Sequence, residues 1–438
     1  MSRRSGGGRH ARPADQIFRS SLFLMASTAT TAGLGFLFWV VVARYYSPSQ
    51  VGLATSLISA TSLISYLSLF GLNTTLIRFP AADPARNGQI TQALALVATV
   101  SCAVGGIYLL GLPVYGPKLL FVRDQPVLAA AFVLCCACAA LNQLTDSVFI
   151  GARLPQYNVI VDGLVQGLAK LALPVALVGF GAAGIMGSAG GGYLVAMLAS
   201  LLLMYRRLGF RFDFKARGTR LREHLRYSVA NYVSSLFNLA PLLMIPLIVL
   251  QRLGAASAGY YYVAFQVASM LNSVAYSTGE ALFAEASYDP SRFAVLLKRS
   301  AAIIAAVQVP AAAVVAAGSG LLLRVFGGAY AAQAGPLLVA LAVSALAVAL
   351  NSWASFGLKL TRQLNALVIS NIVFAVVSIG LALVWAPRGL VWIGWAWGAG
   401  NLASGLAALV PLLVAGRRRR AAAAGRQQAL PRTLGTQT

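Results

Sequence analysis

The chain has 438 residues, 59% of them hydrophobic and 10% charged, where an ordinary soluble domain has roughly 45 to 50% and about 25%. That composition excludes a soluble globular protein. The 34 basic and 10 acidic residues leave a net charge of +24, which would suggest a nucleic-acid partner if the basic residues were not distributed by topology.

In chain order, the N-terminal stretch carries Arg3, Arg4, Arg9 and Arg12. The apolar run behind it is too long for a signal-peptide core and has no small-residue cleavage site, so it reads as a retained first span. A hydrocarbon core of about 30 Å needs about 20 apolar residues per helix. Twelve such runs are expected at 18–43, 51–77, 88–111, 127–150, 155–178, 184–205, 227–250, 257–284, 300–317, 332–356, 364–386 and 390–415. The organisation is a basic tail (1–17), a six-helix lobe (18–205), a basic linker (206–226), a second six-helix lobe (227–416) and a basic tail without fixed structure (417–438).

With the N-terminus inside, 27 of the Lys and Arg residues fall in inner segments and six in outer ones: Arg44, Lys118, Arg123, Arg252, Arg324 and Arg388. Arg19, at the inner end of the first span, is counted with the inner residues, and Lys170 alone lies deep within a span. The positive-inside rule therefore puts both termini in the cytoplasm. The linker and the cluster Arg417 to Arg420 read as topogenic, with anionic membrane lipids as their contact. Cys102, Cys135, Cys136 and Cys138 lie inside spans and read as packing residues. His10 and His224 lie outside the membrane, so no metal site is expected. There is no Walker loop, no cofactor is expected, and the glycine-rich run Gly184 to Gly192 reads as close helix packing.

An internal repeat occurs at an offset of 206 to 207. Asp83-Pro84-Ala85-Arg86 recurs as Asp289-Pro290-Ser291-Arg292, the turn with Gly52 at Gly259, and Gly151-Ala152-Arg153-Leu154 as Gly357-Leu358-Lys359-Leu360. Six spans per repeat is an even number, so the repeats are parallel and a substrate site is expected between them.

Three polar stripes mark that interface. In span two, Ser59, Ser62, Tyr66 and Asn73 follow helical spacing. Their counterparts in span eight are Gln266, Ser269, Ser273 and Glu280, with Tyr276 on the same face. These faces either bond neighbouring helices or line a wet cavity. In span five, Asn158, Asp162, Gln166 and Lys170 recur every fourth residue, while the offset of 206 assigns them the apolar Leu364, Val368, Ile372 and Val376. A mid-membrane charge costs about 2.5 to 3.5 kcal/mol and faces a cavity or a partner. Asp162 and Lys170 are about 12 Å apart along the helix and do not pair directly.

Asp146 is expected beside Asp162 across the 151–154 turn. Asp146, Asp162 and Glu280 are candidate coupling or structural carboxylates, and Arg44 and Arg252 either anchor their helices or charge the cavity mouth. Gly33 and Gly35 in span one and Pro241 and Pro246 in span seven are candidate hinges.

The segment Phe36-x-x-Trp39 through Ala43-Arg44-Tyr45-Tyr46-Ser47-Pro48 to Val51-Gly52-Leu53-Ala54 resembles the first loop of bacterial polysaccharide-biosynthesis flippases. These O-antigen-type exporters belong to the multidrug/oligosaccharidyl-lipid/polysaccharide superfamily. Gly71-Leu72-Asn73 to Arg78 and Leu322-Leu323-Arg324-Val325-Phe326-Gly327 with Tyr330 resemble further parts of it, and the similarity covers roughly 16–416. The resemblance implies an all-α polytopic protein of two six-helix lobes in a V, with a cavity lined by helices 1, 2, 7 and 8. It also implies alternating access carrying a polyprenyl-diphosphate-linked oligosaccharide between leaflets of the bacterial plasma membrane, beside glycosyltransferases or a polymerase of the same pathway. Twelve spans suit the O-antigen branch, and the lack of an acid in span one weakens multidrug antiport.

On this reading the protein is no enzyme. Cationic groups hold the diphosphate, polar stripes solvate sugars, and the expected substrate contacts are Lys170, Arg44, Arg252, Gln166, Asn73, Gln266 and Ser273. The alternatives are small-molecule efflux, a membrane scaffold for glycan assembly, and a glycosyl polymerase or ligase, for which the outer loops lack His and Glu.

Overall fold

The structure, a computed structural model, describes residues 33–78, 85–214, 221–288 and 293–429. Twelve long helices occupy them: α1 (Gly33–Tyr45), α2 (Pro48–Leu69), α3 (Ala85–Tyr115), α4 (Pro126–Gly151), α5 (Gln156–Ala176), α6 (Gly181–Leu208), α7 (Leu221–Leu253), α8 (Ala255–Tyr288), α9 (Phe293–Ala317), α10 (Gly328–Leu360), α11 (Leu364–Trp385) and α12 (Leu390–Ala429). Ten of them, all but α1 and α8, are long and apolar enough to cross a membrane. No strand occurs among the described residues. Helices are what a bilayer demands, because each backbone polar group must find its partner within the segment.

Local chemistry sets the turns. Ser47 caps α2 in a reciprocal capping box with Gln50, and Pro48 occupies its first turn. At the other end α2 stops at Leu69, because Phe70 (φ 45) and Gly71 (φ 80) are left-handed. A short helix, Leu72–Arg78, follows. This corrects the reading of span two as one helical face: Asn73 lies beyond a break that resets the helical phase, so it does not continue the stripe of Ser59, Ser62 and Tyr66. The last helix runs through the arginine cluster to Ala429, past the expected boundary at 416, in keeping with the high helix propensity of alanine and arginine.

Within the first half α4 packs on α3 and α6, and α5 lies along α6; within the second half α10 packs on α8, α9 and α12. The halves meet mainly through α2 against α7 and α8. One buried apolar cluster crosses the seam, from Trp39, Val42 and Leu57 to Ile245, Tyr261 and Leu338. A second cluster, around Leu72, Leu94 and Phe149, stays in the first half. The glycine-rich run of α6 packs as expected: a Cβ on Gly190 would press on Cys135, one on Gly191 on Leu173 and one on Gly192 on Lys170.

The repeat is visible in backbone bonds, and one of its sequence matches needs correction. Arg153 N–H donates to the Ile150 carbonyl and Leu154 N–H to that of Phe149. The same pattern joins Arg362 to Lys359 and Gln363 to Leu358. Arg153 (φ 61) and Arg362 (φ 58) are both left-handed. At this turn the offset is therefore 209, and Arg153 corresponds to Arg362, not to Lys359; the Gly-x-basic-Leu match was fortuitous. Counted from this turn, the counterpart of Asp162 is the polar Asn371, not Val368, and Asn142 falls on Asn351.

Candidate functional site

The span-five stripe assembles. Lys170 Nζ donates to Gln166 Oε1 at 2.8 Å, and Gln166 Nε2 reaches Asp162 Oδ1 at 3.5 Å. Asn142 on α4 donates to the same Asp162 oxygen at 2.8 Å. Asp146 on α4 and Asp162 on α5 are neighbouring carboxyls, and Asp146 Oδ1 is buried with no partner among the described residues. Asn158 departs from the stripe by turning to α4, where it donates to the Asp146 carbonyl at 3.1 Å. Lys170 and Asp162 are thus linked through Gln166 and do not touch, as their separation along the helix requires.

The helix that carries them is unusual. Residues Val159–Gln166 form a π-helical stretch inside α5, a rare form found mostly at functional sites. Nothing in the amino-acid spacing announces it.

Asp162, Gln166 and Lys170 line a cavity of about 200 Å³, walled by Leu34, Phe38 and Trp39 of α1, Tyr193 of α6 and Tyr262 of α8. The Lys170 ammonium sits 4.2 Å from the Tyr193 ring centroid, a favourable cation–π placement. Gly192 gives the lysine stem its room, since a Cβ there would lie 2.6 Å from Lys170 Cγ. The Tyr193 phenol in turn lies beside Ser62, so the stripe of α2 approaches the stripe of α5 at this ring. Trp39 and Tyr262, from opposite halves, have ring centroids 4.5 Å apart and share a hydrogen bond.

The other expected contacts lie outside this cavity. Arg44 is exposed, and its guanidinium donates to the carbonyls of Val325 at 2.8 Å and Arg324 at 3.3 Å. Arg252 is exposed at the end of α7. Asn73 is half-buried, with a buried Oδ1 that has no partner. Along α8, Gln266 is half-buried and Ser273, which donates to the Met270 carbonyl at 2.7 Å, is exposed. The side chain of Glu280 lies outside the described residues. Tyr66 stacks on Tyr232 of α7 with ring centroids 5.3 Å apart, so at that level the α2 face is helix contact and not cavity wall.

Of the candidate hinges, Gly33 and Gly35 have open space where a Cβ would stand. Packing therefore does not require glycine at either position. Helix α7 is continuous through Pro241 and Pro246.

Sequence reasoning missed Trp39, Asn142, Tyr193 and Tyr262. Asn142 was within reach of it, four residues before Asp146 on the same face of α4. Tyr193 follows directly on the glycines that admit Lys170. Trp39 stood only in the segment that carries the family resemblance, and Tyr262 carries no signal, because aromatic residues fill many membrane helices.

The two halves pack as one helical bundle beside this cavity, and comparison with solved structures finds the same fold elsewhere. The fold is similar to that of "Lipid II flippase MurJ, inward closed conformation", with TM-score 0.73, 12% identity, and 89% of this chain and 87% of that one covered. It is also similar to an inward-facing multidrug resistance MATE family transporter of the MOP superfamily (TM-score 0.67, 13% identity, 90% and 94% covered). An outward-facing MATE family transporter scores 0.54 at 15% identity, with 94% and 97% covered. By sequence, no curated protein matches the chain. The family model described as "Polysaccharide biosynthesis protein" matches residues 17–283. The chain belongs to that family.

Proposed function

We propose that this protein is a plasma-membrane flippase that carries a polyprenyl-diphosphate-linked oligosaccharide, a precursor of cell-surface polysaccharide, from the inner to the outer leaflet by alternating access. The observation that carries the reading is Lys170. Its ammonium offers three donors, of which Gln166 takes one. The nearest carboxylate, Asp162, is separated from it by Gln166. A cation held in a cavity in this way, with donors to spare, suits the oxygens of a phosphate.

The family supports the saccharide pathway. The cavity is small, and a diphosphate with the first part of its sugar fits its size better than a whole oligosaccharide does. The lipid tail stays in the bilayer. Both termini lie in the cytoplasm, as the basic segments direct, and glycosyltransferases or a polymerase of the same pathway are natural partners. The greater likeness to the inward-facing than to the outward-facing transporter supports a state closed at the outer side. The Asp146–Asp162 pair is the coupling group in this scheme; it is also the observation that favours cation-coupled efflux as a second reading.

The test is translocation of lipid-linked oligosaccharide in reconstituted vesicles. Lys170→Gln should lose most of the activity at equal protein levels, and Lys170→Arg should keep part. A wild-type rate for Lys170→Gln would remove the diphosphate role. Transport of a cationic drug with no saccharide movement would favour efflux.

A further inference from the structure

We propose that Arg44 and Lys118 form a two-point latch that holds the halves together at the end where α1 turns into α2. The inference rests on the alternating-access reading but not on the identity of the substrate. Arg44 reaches the carbonyls of Val325 and Arg324, as described above. Lys118, in the connection between α3 and α4, donates to the carbonyls of Leu250 at 2.8 Å and Gln251 at 3.0 Å.

The two contacts share one logic. Each cation comes from the first half and each carbonyl pair from the second. Each pair also ends a helix, Leu250 and Gln251 in the last turn of α7 and Arg324 and Val325 at the close of the short helix Ser319–Arg324. Terminal carbonyls carry the negative dipole end of their helix; Leu250 and Arg324 also accept backbone bonds from Gly254 and Gly327, each at 3.1 Å, so the cation is a second donor at a carbonyl that has a free lone pair. Here that charged donor is supplied from across the seam.

Both cations are exposed. Water can take over their solvation when the halves part, which makes the latch breakable where a buried ion contact would not be. Between the two points the seam is closed: Ser56 is fully buried, its hydroxyl donates to the Gly52 carbonyl at 2.8 Å, and it lies 3.4 Å from the Pro246 carbonyl of α7. Arg252 has the same charge and lies at the same end of the bundle, which makes it the natural control.

The experiment uses the full-length protein purified in detergent, with the four native cysteines replaced and Ser56→Cys as the probe, and reads its rate of labelling by a soluble maleimide. With the latch intact the thiol should react slowly. In Arg44→Gln/Lys118→Gln the rate should rise at least about tenfold, with smaller rises in the single variants, because each lost bond involves a charged donor. Arg44→Lys/Lys118→Arg should stay slow, and raised salt should speed the wild-type reaction. An unchanged rate in the double glutamine variant overturns the latch, and so does an equal rise in Arg252→Gln. If the double variant does not fold, Lys118→Gln alone decides by the same criterion. Because the readout is opening and not transport, failure here leaves the flippase reading intact. Failure to move saccharide likewise leaves the latch intact.

Discussion

Gly52 and Gly259, equivalent positions of the two repeats, face each other across the seam between the halves. A Cβ on Gly52 would run into the Ala255 carbonyl and one on Gly259 into the Pro48 carbonyl. Pro48 and Ala255 are themselves 207 apart, as the glycines are. Each repeat thus presents the same patch to the other, the reciprocal contact expected about a twofold axis.

The obstacle at both glycines is backbone, which cannot swing aside as a side chain can. Gly52→Ala and Gly259→Ala should each wedge the halves apart at this end. We expect transport to fall several-fold in either variant while the protein remains in the membrane at normal levels, and Gly52→Leu to be inactive. Gly35→Ala, at a position with open space, should leave the seam closed. Thiol labelling of Ser56→Cys measures the seam directly, and slow labelling in Gly52→Ala would refute the wedge.

Gly192 tests the cavity by another route. Its neighbour is the flexible stem of Lys170, so Gly192→Ala should displace the ammonium from the Tyr193 face without harming the fold. The expected result is weaker substrate binding, on the order of tenfold, with a thermal midpoint in detergent close to wild type. Tyr193→Phe keeps the ring beneath the ammonium and removes only the hydroxyl, so its loss should be smaller than that of Tyr193→Leu. Equal losses for Tyr193→Phe and Tyr193→Leu would show that the ring face contributes nothing.

Asp146 and Asp162 should not respond alike. Asp146 Oδ1 is buried with no partner among the described residues, and an amide fills the same space and can donate to the neighbouring Asp162, so Asp146→Asn should cost little stability. Asp162 accepts from Asn142 and Gln166, and Asp162→Asn weakens both bonds while removing the negative charge nearest Lys170. A loss of about 1 to 3 kcal/mol is expected for such a change, measured by thermal unfolding in detergent. If Asp146→Asn proved the more damaging of the two, Asp162 would not be the acceptor that organises this cluster.

The bundle was legible in the chain because bilayer thickness imposes a length on every apolar run and topology imposes a sign on every loop. The Asp162, Gln166 and Lys170 stripe was legible for a related reason, since polar residues four apart on an apolar helix share one face, and that face must meet water or a polar partner. What escaped was geometry that residue types do not encode. The break at Phe70 is a non-glycine residue in a left-handed conformation, and the π-helical stretch of α5 has ordinary residues in it. Arg44 read as either a helix anchor or a cavity charge, because the sequence shows the donor but not the carbonyls that receive it. The register at Arg153 misled because a four-residue match outweighs nothing unless the turn's own hydrogen bonds agree.

Orientation is tested by placing single cysteines in a cysteine-free protein and treating intact cells with an impermeant thiol reagent. Gln125 and Ala332 are exposed at the end of the bundle assigned to the outside, and Ala85 and Arg362 are exposed at the opposite end. The 27 to 6 division of basic residues predicts labelling at the first two positions and protection at the other two until the membrane is permeabilised. All four positions being exposed, protection cannot be ascribed to burial in the protein. The reverse pattern would invert the molecule and place the latch of Arg44 and Lys118 on the cytoplasmic side. A mixed pattern, with Gln125 and Ala332 on different sides, would break the parallel relation of the two halves, which the facing pair Gly52 and Gly259 requires.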